Sequence, residues 1–548
     1  MKNILLLISI CFGSLINVQG QSFNSNELEA KIDSLIPVQV NDTTPGLVIG
    51  IVQKGELIFS KGYGLANLSY DIPNDPKMVY NLGSVSKQFL GYAFAMLHVE
   101  GSLDLDDPVG KYLEDWPEFK QNVTLRHLLT HTSGYREAYT MSNLAGRYIG
   151  VDRLSREECL EVVRKQPQLE FIPGSRWTYN STAWVILAEV LEKVTGKSAD
   201  EWVKSNILLP LEMNDTQIEG HVGDVMKNSA ESYVYNEEKG YTNPRSNRAI
   251  FGAAEVYSSV QDLVKWVNNY RTAQIGGKAV NDLFLNPFIL NDGSNSGYAL
   301  GIGHNTYRGL KRYRHTGGHE AFETQLSYYP DHDFGIITIS NFGGKGWLNT
   351  EKIAELFLDE HMTSSTNSAT KEIKIKKRKL EQFAGQYLIT TLNRTLNLTI
   401  VNDSLVIDGQ DRLIPVEENT FHIDGWDGQI KIETISDTET RLISSTPTSK
   451  NVYTRIDPWT PTSEELTELE GDYWSDELET VYHLALKDLK LTIQHRWIGE
   501  VKLEPITNDL FQMEWGYFVK FGRNSEGGIS DLSVFSGRTL DVKFQRKE

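Results

Sequence analysis

Tyr80-Asn81-Leu82-Gly83-Ser84-Val85-Ser86-Lys87-Gln88-Phe89 is the stretch that carries most information in this 548-residue chain. Apolar residues continue from it to about Glu100, and Gly101 supplies a stop signal, so Ser84 opens a helix. Ser84 and Lys87 then share one face of the first turn. Negative charge that develops at a helix start is stabilised by the free N–H groups there. A lysine whose ammonium is disfavoured by burial can take the proton of a neighbouring hydroxyl. Alone, Ser-x-x-Lys is common by chance, and it equally describes an N-cap serine beside a solvated lysine.

Two downstream stretches give that spacing a context. Phe171-Ile172-Pro173-Gly174-Ser175-Arg176-Trp177-Thr178-Tyr179-Asn180-Ser181 leads into an amphipathic helix closed by Gly196. Its Pro-Gly turn delivers Tyr179 and Ser181 just ahead of that helix. Tyr179 reads either as a core aromatic or as a hydroxyl that passes protons between a lysine and a serine. Arg314-His315-Thr316-Gly317-Gly318-His319-Glu320 stands before a returning strand. Glycines there let backbone approach a substrate, and a free N–H can face that of Ser84 as an oxyanion hole.

In this order the three stretches resemble the serine β-lactamase and penicillin-binding-protein superfamily, on the side of its class C-type enzymes, esterases and D-amino-acid peptidases. Ser84-Val85-Ser86-Lys87 matches Ser-x-x-Lys, Tyr179-Asn180-Ser181 stands for Tyr-x-Asn, and His315-Thr316-Gly317 for Lys-Thr-Gly. Leu125-Arg126-His127-Leu128-Leu129-Thr130-His131-Thr132-Ser133-Gly134 and Gly252-Ala253-Ala254 before Tyr257-Ser258-Ser259 are further family-like phrases. The resemblance covers roughly residues 25–362. It implies an α/β (α+β) catalytic domain whose antiparallel sheet is flanked by helices. It also implies Ser84 as acylated nucleophile and Lys87 and Tyr179 as proton carriers. The N–H groups of Ser84 and Gly318 form the implied oxyanion hole, and Ser181, His315, Thr316 and Gly317 are the implied substrate contacts.

Two positions depart from the pattern, Ser181 for asparagine and His315 for lysine. The family's lysine often attracts a substrate carboxylate, whereas histidine is largely neutral at pH 7. The expectation is therefore a serine hydrolase acting on a small ester, an amino-acid amide or a short peptide, as in the family's esterases and D-aminopeptidases. A β-lactamase or penicillin-binding DD-peptidase is the second reading, and a non-catalytic binding or sensor module the third. Neither His127 with His131 nor His315 with His319 has metal-ligand patterning, so no metal and no cofactor is expected.

Around this core, residues 46–64 read as a β-hairpin turning at Lys54-Gly55, and strands return from Phe322 to Tyr329 and from Phe334 to Ser340. Strands at both ends of a helical middle predict one sheet assembled from the two ends. A polar run and a basic cluster mark a linker at 363–379. Two similar segments follow, 380–458 and 462–548. Tyr387, the turn at Asn402-Asp403, Pro415 and Phe421 in the first correspond to Tyr473, the turn at Lys487-Asp488, Pro505 and Phe511 in the second. They predict two small all-β barrel or lipocalin-like domains that fold separately and supply no catalytic residue.

The first twenty residues carry one charge, Lys2, an apolar centre and Val18-Gln19-Gly20, the layout of a cleaved signal peptide over 1–20. A periplasmic or secreted location is expected. Ile10 before Cys11 disfavours a lipid anchor, and no later stretch reads as a transmembrane segment. If Cys11 leaves, Cys159 is the sole cysteine and no disulfide joins the chain to itself. A net charge of -19 disfavours nucleic acid as a partner. The oligomeric state is left open.

Overall fold

A computed structural model describes residues 25–148, 151–363, 372–423, 428–436, 439–446, 449–457 and 459–547. The signal segment and most of the polar run before the first β domain lie outside the described residues. Among those described, no helix is long and apolar enough to cross a membrane.

The hairpin forms as expected. Strands β1 (Leu47–Gln53) and β2 (Glu56–Tyr63) meet at Lys54 and Gly55, whose φ angles of 50° and 85° suit the twist of a two-residue turn. The returning strands are β3 (Gly303–Tyr307), β4 (Leu310–His319), β5 (Phe322–Tyr329) and β6 (Phe334–Ser340). They complete a six-stranded antiparallel sheet in the order β3-β4-β5-β6-β1-β2. Leu47 pairs with Ser340 across β1 and β6, so the two ends of the domain close on each other.

Both faces of β1 are covered, which explains its unbroken apolar run. Leu47, Ile49 and Ile51 meet Leu28 and Ile32 of the helix Ser25–Asp33 and Ile353 and Leu358 of the helix Thr350–Leu358. Val48 and Val52 face the large core built with the helices Lys87–Val99, Thr182–Thr195 and Val260–Thr272. A side chain at Gly50 would come within 2.3 Å of Val260, so glycine lets that last helix lie close on the sheet.

The tail holds the two β units that the repeat predicts. The first is a nine-stranded sheet whose edge strands, Asp411–Arg412 and Ile414–Glu417, are adjacent in sequence. The second is a closed barrel of strands from Gly471–Ser475 to Val542–Arg546. Their correspondence extends to single bonds. The Tyr387 hydroxyl donates to the Phe383 carbonyl at 2.7 Å, and that of Tyr473 to the Leu469 carbonyl at 2.9 Å. Pro415 pairs with Phe421, Pro505 with Phe511, and each pair is followed by a bulge. The second turn centres on Asp488 and Leu489, at φ 49° and 62°, one residue beyond the Lys487-Asp488 read from sequence.

The barrel is not insulated from the catalytic domain. Met141 and Leu144, on the helix Ala138–Leu144, share a core with Leu466, Tyr482, Ile493 and Phe544. The Tyr482 hydroxyl donates to the Leu144 carbonyl at 2.8 Å. Buried Arg136 grips Glu477 with two hydrogen bonds, 2.8 and 2.9 Å, and reaches Glu170 at 3.1 Å. It also donates to the carbonyls of Leu540 and Asp541.

Candidate active site

Ser84 sits on a 3-10 turn, Gly83–Ser86, that runs directly into the helix Lys87–Val99. Two glycine positions hold this turn flush against β4. Gly83 has φ +52°, and a side chain on it would meet the Gly318 nitrogen at 2.5 Å. One on Gly317 would stand 1.9 Å from the Leu82 carbonyl oxygen. Only with backbone on backbone can Ser84 and Gly318 border the same space.

Lys87 is fully buried. Its Nζ lies 3.1 Å from Ser84 Oγ and donates to the Ala253 carbonyl at 2.6 Å. Burial pushes its pKa well below the usual lysine range, and the positive charge of Arg538 adds to the effect while Glu137 opposes it. That direction favours the neutral amine, the form with a lone pair for a neighbouring hydroxyl. Ala253, in the Gly252-Ala253-Ala254 phrase singled out in the sequence, supplies the carbonyl that holds Lys87 Nζ.

Tyr179 stacks beneath Lys87, with Nζ 5.1 Å from its ring centre. Its hydroxyl is buried, and burial raises its pKa, although proximity to Ser84 works the other way. Among the described residues no group reaches full hydrogen-bond geometry with it. The ring is set by the other family-like phrase. His131 lies 4.2 Å from it centre to centre, accepts from the Asn180 N–H at 3.0 Å, and receives the Thr178 N–H on its carbonyl at 2.8 Å. Asn180 donates to the carbonyls of Tyr135 and Arg136 at 2.6 and 3.2 Å and caps the helix Thr182–Thr195 through Ala183.

His315 is engaged on both ring nitrogens. Nδ1 donates to the Thr316 carbonyl at 2.6 Å, which leaves Nε2 to accept from the Tyr298 hydroxyl at 2.8 Å. Burial, then Lys87, pushes its pKa down to about 3, so it is neutral. Its imidazole is a buried brace between β4 and Tyr298.

These residues border a cavity of about 760 Å³, into which Ser84, Tyr179, Ser181, His315, Thr316 and Gly318 all face. Gly317, under the Ser84 turn, is not on its wall. Three charged groups on the wall were not singled out in the sequence. Glu137 is buried; one carboxylate oxygen accepts from the Thr140 N–H and hydroxyl at 2.9 and 3.2 Å, and the other has no partner among the described residues. Arg248 is held by an ion pair with Glu320. Arg538 comes from the barrel, together with Tyr517, Ser536 and Gly537. Among the described residues no three His, Cys, Asp or Glu side chains form a metal-holding group.

A family profile described as beta-lactamase matches residues 32–357, from the first helix to the last helix of the catalytic domain. The chain belongs to the beta-lactamase family. Within that family, penicillin-binding protein 4* of Bacillus subtilis (strain 168) is 27% identical over an alignment of 306 residues that covers 52% of this chain and 66% of that relative. The octameric penicillin-binding protein homologue from Pyrococcus abyssi superposes with a TM-score of 0.54 at 24% identity, covering 79% of this chain and 100% of that one. A D-stereospecific amidohydrolase from Streptomyces sp. gives a TM-score of 0.50 at 22% identity, over 60% of this chain and 98% of that one. These two likenesses bear on the beta-lactamase fold alone.

Proposed function

We propose that this protein is a serine hydrolase that forms an acyl-enzyme on Ser84 with amino-acid amides, short peptides or small esters. The observation that carries the reading is a fully buried Lys87 whose Nζ lies 3.1 Å from Ser84 Oγ. Lys87 Nζ takes the hydroxyl proton as Oγ bonds the carbonyl carbon. The carbonyl oxygen, now negative, sits between the N–H groups of Ser84 and Gly318. The Tyr179 hydroxyl passes the proton from Lys87 to the leaving nitrogen or oxygen, which departs protonated. Water then cleaves the acyl–Oγ bond, and the proton returns to Ser84. His315 and Thr316 shape the β4 side of the cleft, and Ser181 the helical side.

Glu137 supports an amine-bearing substrate, because it borders the cavity and one of its buried carboxylate oxygens has no partner among the described residues. The amidohydrolase among the structural likenesses agrees in chemistry, by its own name. A penicillin-binding role is the second reading, favoured by the name of the Bacillus subtilis relative. The signal-like first twenty residues support export, which N-terminal sequencing of the protein recovered outside the cytoplasm would check.

Labelling with a fluorophosphonate, followed by mass spectrometry, tests the reading. Ser84 should carry the adduct, and Ser84→Ala should carry none. An adduct on any other residue overturns the assignment. Turnover compared across a D-alanine nitroanilide, a nitrophenyl acetate and a chromogenic cephalosporin then separates the two readings, since cephalosporin turnover alone would favour the second.

A further inference from the structure

We infer that Arg538, carried to the nucleophile by the C-terminal barrel, binds a free carboxylate on the leaving side of the substrate, so that the preferred substrate is a dipeptide with both termini charged. The inference rests on the proposed amide hydrolysis at Ser84 and names its substrate class.

The case begins with the cations of the Ser84 cavity. Lys87 is fully buried and engaged with Ser84 Oγ and the Ala253 carbonyl. Arg248 is paired with Glu320. Arg538 is exposed to the cavity, lies 5.0 Å over the Tyr179 ring, and has no ion pair among the described residues. An unpaired guanidinium over the ring of the proposed proton carrier is placed to meet a substrate anion next to the scissile bond. Its planar fork suits a carboxylate in particular.

The turn that bears it is built. Ser536 N–H donates to the Thr539 carbonyl at 2.8 Å, and Ser536 Oγ accepts from the N–H groups of Arg538 and Thr539 at 3.2 and 3.0 Å. Thr539 is fully buried, and its hydroxyl accepts from the Glu137 N–H at 3.3 Å. Leu540 N–H donates to Glu170 at 3.1 Å, while its carbonyl accepts from Arg136. The barrel turn is therefore locked to the backbone of the residue whose carboxylate borders the same cavity.

Glu137 and Arg538 place one carboxylate and one guanidinium on the wall of the same cavity. Glu137 keeps an unpartnered oxygen, so the two do not neutralise each other. A dipeptide answers both, with its ammonium beside the scissile carbonyl and its carboxylate on the departing residue. An amino-acid amide answers only the first.

The test uses the full chain and an alanyl dipeptide with a free C-terminus against the same dipeptide amidated, each with a D- and an L-configured first residue. Two readouts are taken: the ratio of kcat/KM values, and the concentration that protects Ser84 from fluorophosphonate labelling. The free acid should be preferred by the natural protein. In Arg538→Gln that preference should fall about 10- to 100-fold, the usual weight of a hydrogen bond to a charged group. It should reverse in Arg538→Glu and return in part in Arg538→Lys, with thermal unfolding confirming that each variant is folded. Equal protection by acid and amide in the natural protein, or an unchanged preference in Arg538→Gln, overturns the inference. Failure of the underlying reading looks different, because natural protein would then take no label on Ser84.

Discussion

At the scale of single residues, the feature with most chemical consequence is the burial that disfavours the Lys87 ammonium. Desolvation and the Arg538 charge both lower its pKa, so the amine stays neutral well below the usual 10.5. Acylation should accordingly rise with pH as Lys87 loses its proton and level off above that point, with the limb far to the acid side of 10.5. Arg538→Gln should move the limb toward higher pH, because a repelling charge is gone. Rates of fluorophosphonate labelling across pH check both, and a limb at the ordinary lysine value would show that Lys87 is not the base. Lys87→Ala should lower the rate by ~100- to 10,000-fold. The closeness of Ser84 and Lys87 was legible in the sequence because it is local, three positions on one turn. The bracing of His315 was not, because Tyr298 reaches it through the sheet edge, and a sequence gives the residue type without its partners. Glu137 was hidden for a related reason: it looks like an ordinary helix N-cap, and half of it is one.

Among the elements, the tail repeat was readable even though few residues are identical. What persists is a set of positions where geometry leaves little choice. Gly385 and Gly471 have φ of 145° and 141°, and a side chain on either would press on Arg455 or Arg546 at 2.9 or 3.2 Å. Tyr387 and Tyr473 each close a short helix onto the first strand of their unit. Replacing either by phenylalanine leaves a carbonyl without its buried donor and should cost its unit about 1–3 kcal/mol. Denaturant unfolding of the two variants measures this, and losses under about 0.5 kcal/mol, the range of ordinary surface changes, would show the bonds to be incidental. The turn was misplaced by one residue because Leu489 is a poor candidate for positive φ. It adopts that φ because the pairing of Leu486 with Leu491 and Lys487 with Lys490 leaves only Asp488 and Leu489 to turn.

For the molecule as a whole, the tandem repeat foretold two β units but not that the second would share a core with the helix Ala138–Leu144. Met141 and Leu144 read as ordinary core residues of the catalytic domain, and nothing in spacing says which neighbour covers them. The Arg136–Glu477 pair is the polar counterpart of this junction. Arg136 would keep Glu170 and two carbonyls as partners, so losing the Glu477 charge should cost less than the ~3–5 kcal/mol of a stranded buried charge. Glu477→Gln should still loosen the barrel, lower the thermal midpoint and expose the junction to proteolysis. Turnover of carboxylate-bearing dipeptides should fall more than labelling of Ser84. A variant as resistant to protease as the natural protein would mean that the apolar contacts alone hold the barrel.

The span of that junction sets a clock on the protein's own synthesis. Arg136 and Leu540 touch across 404 residues, so the turn that walls the cleft is made long after the nucleophile. At ~5–20 residues per second on the ribosome, the interval is roughly 20–80 s. Closing so long a loop is also among the last events of folding, because its entropy is lost before its contacts are gained. A nascent chain thus has its serine, lysine and tyrosine in hand while the cleft still lacks a side. On the proposed reading, the wall that carries Arg538 is complete only in the finished molecule.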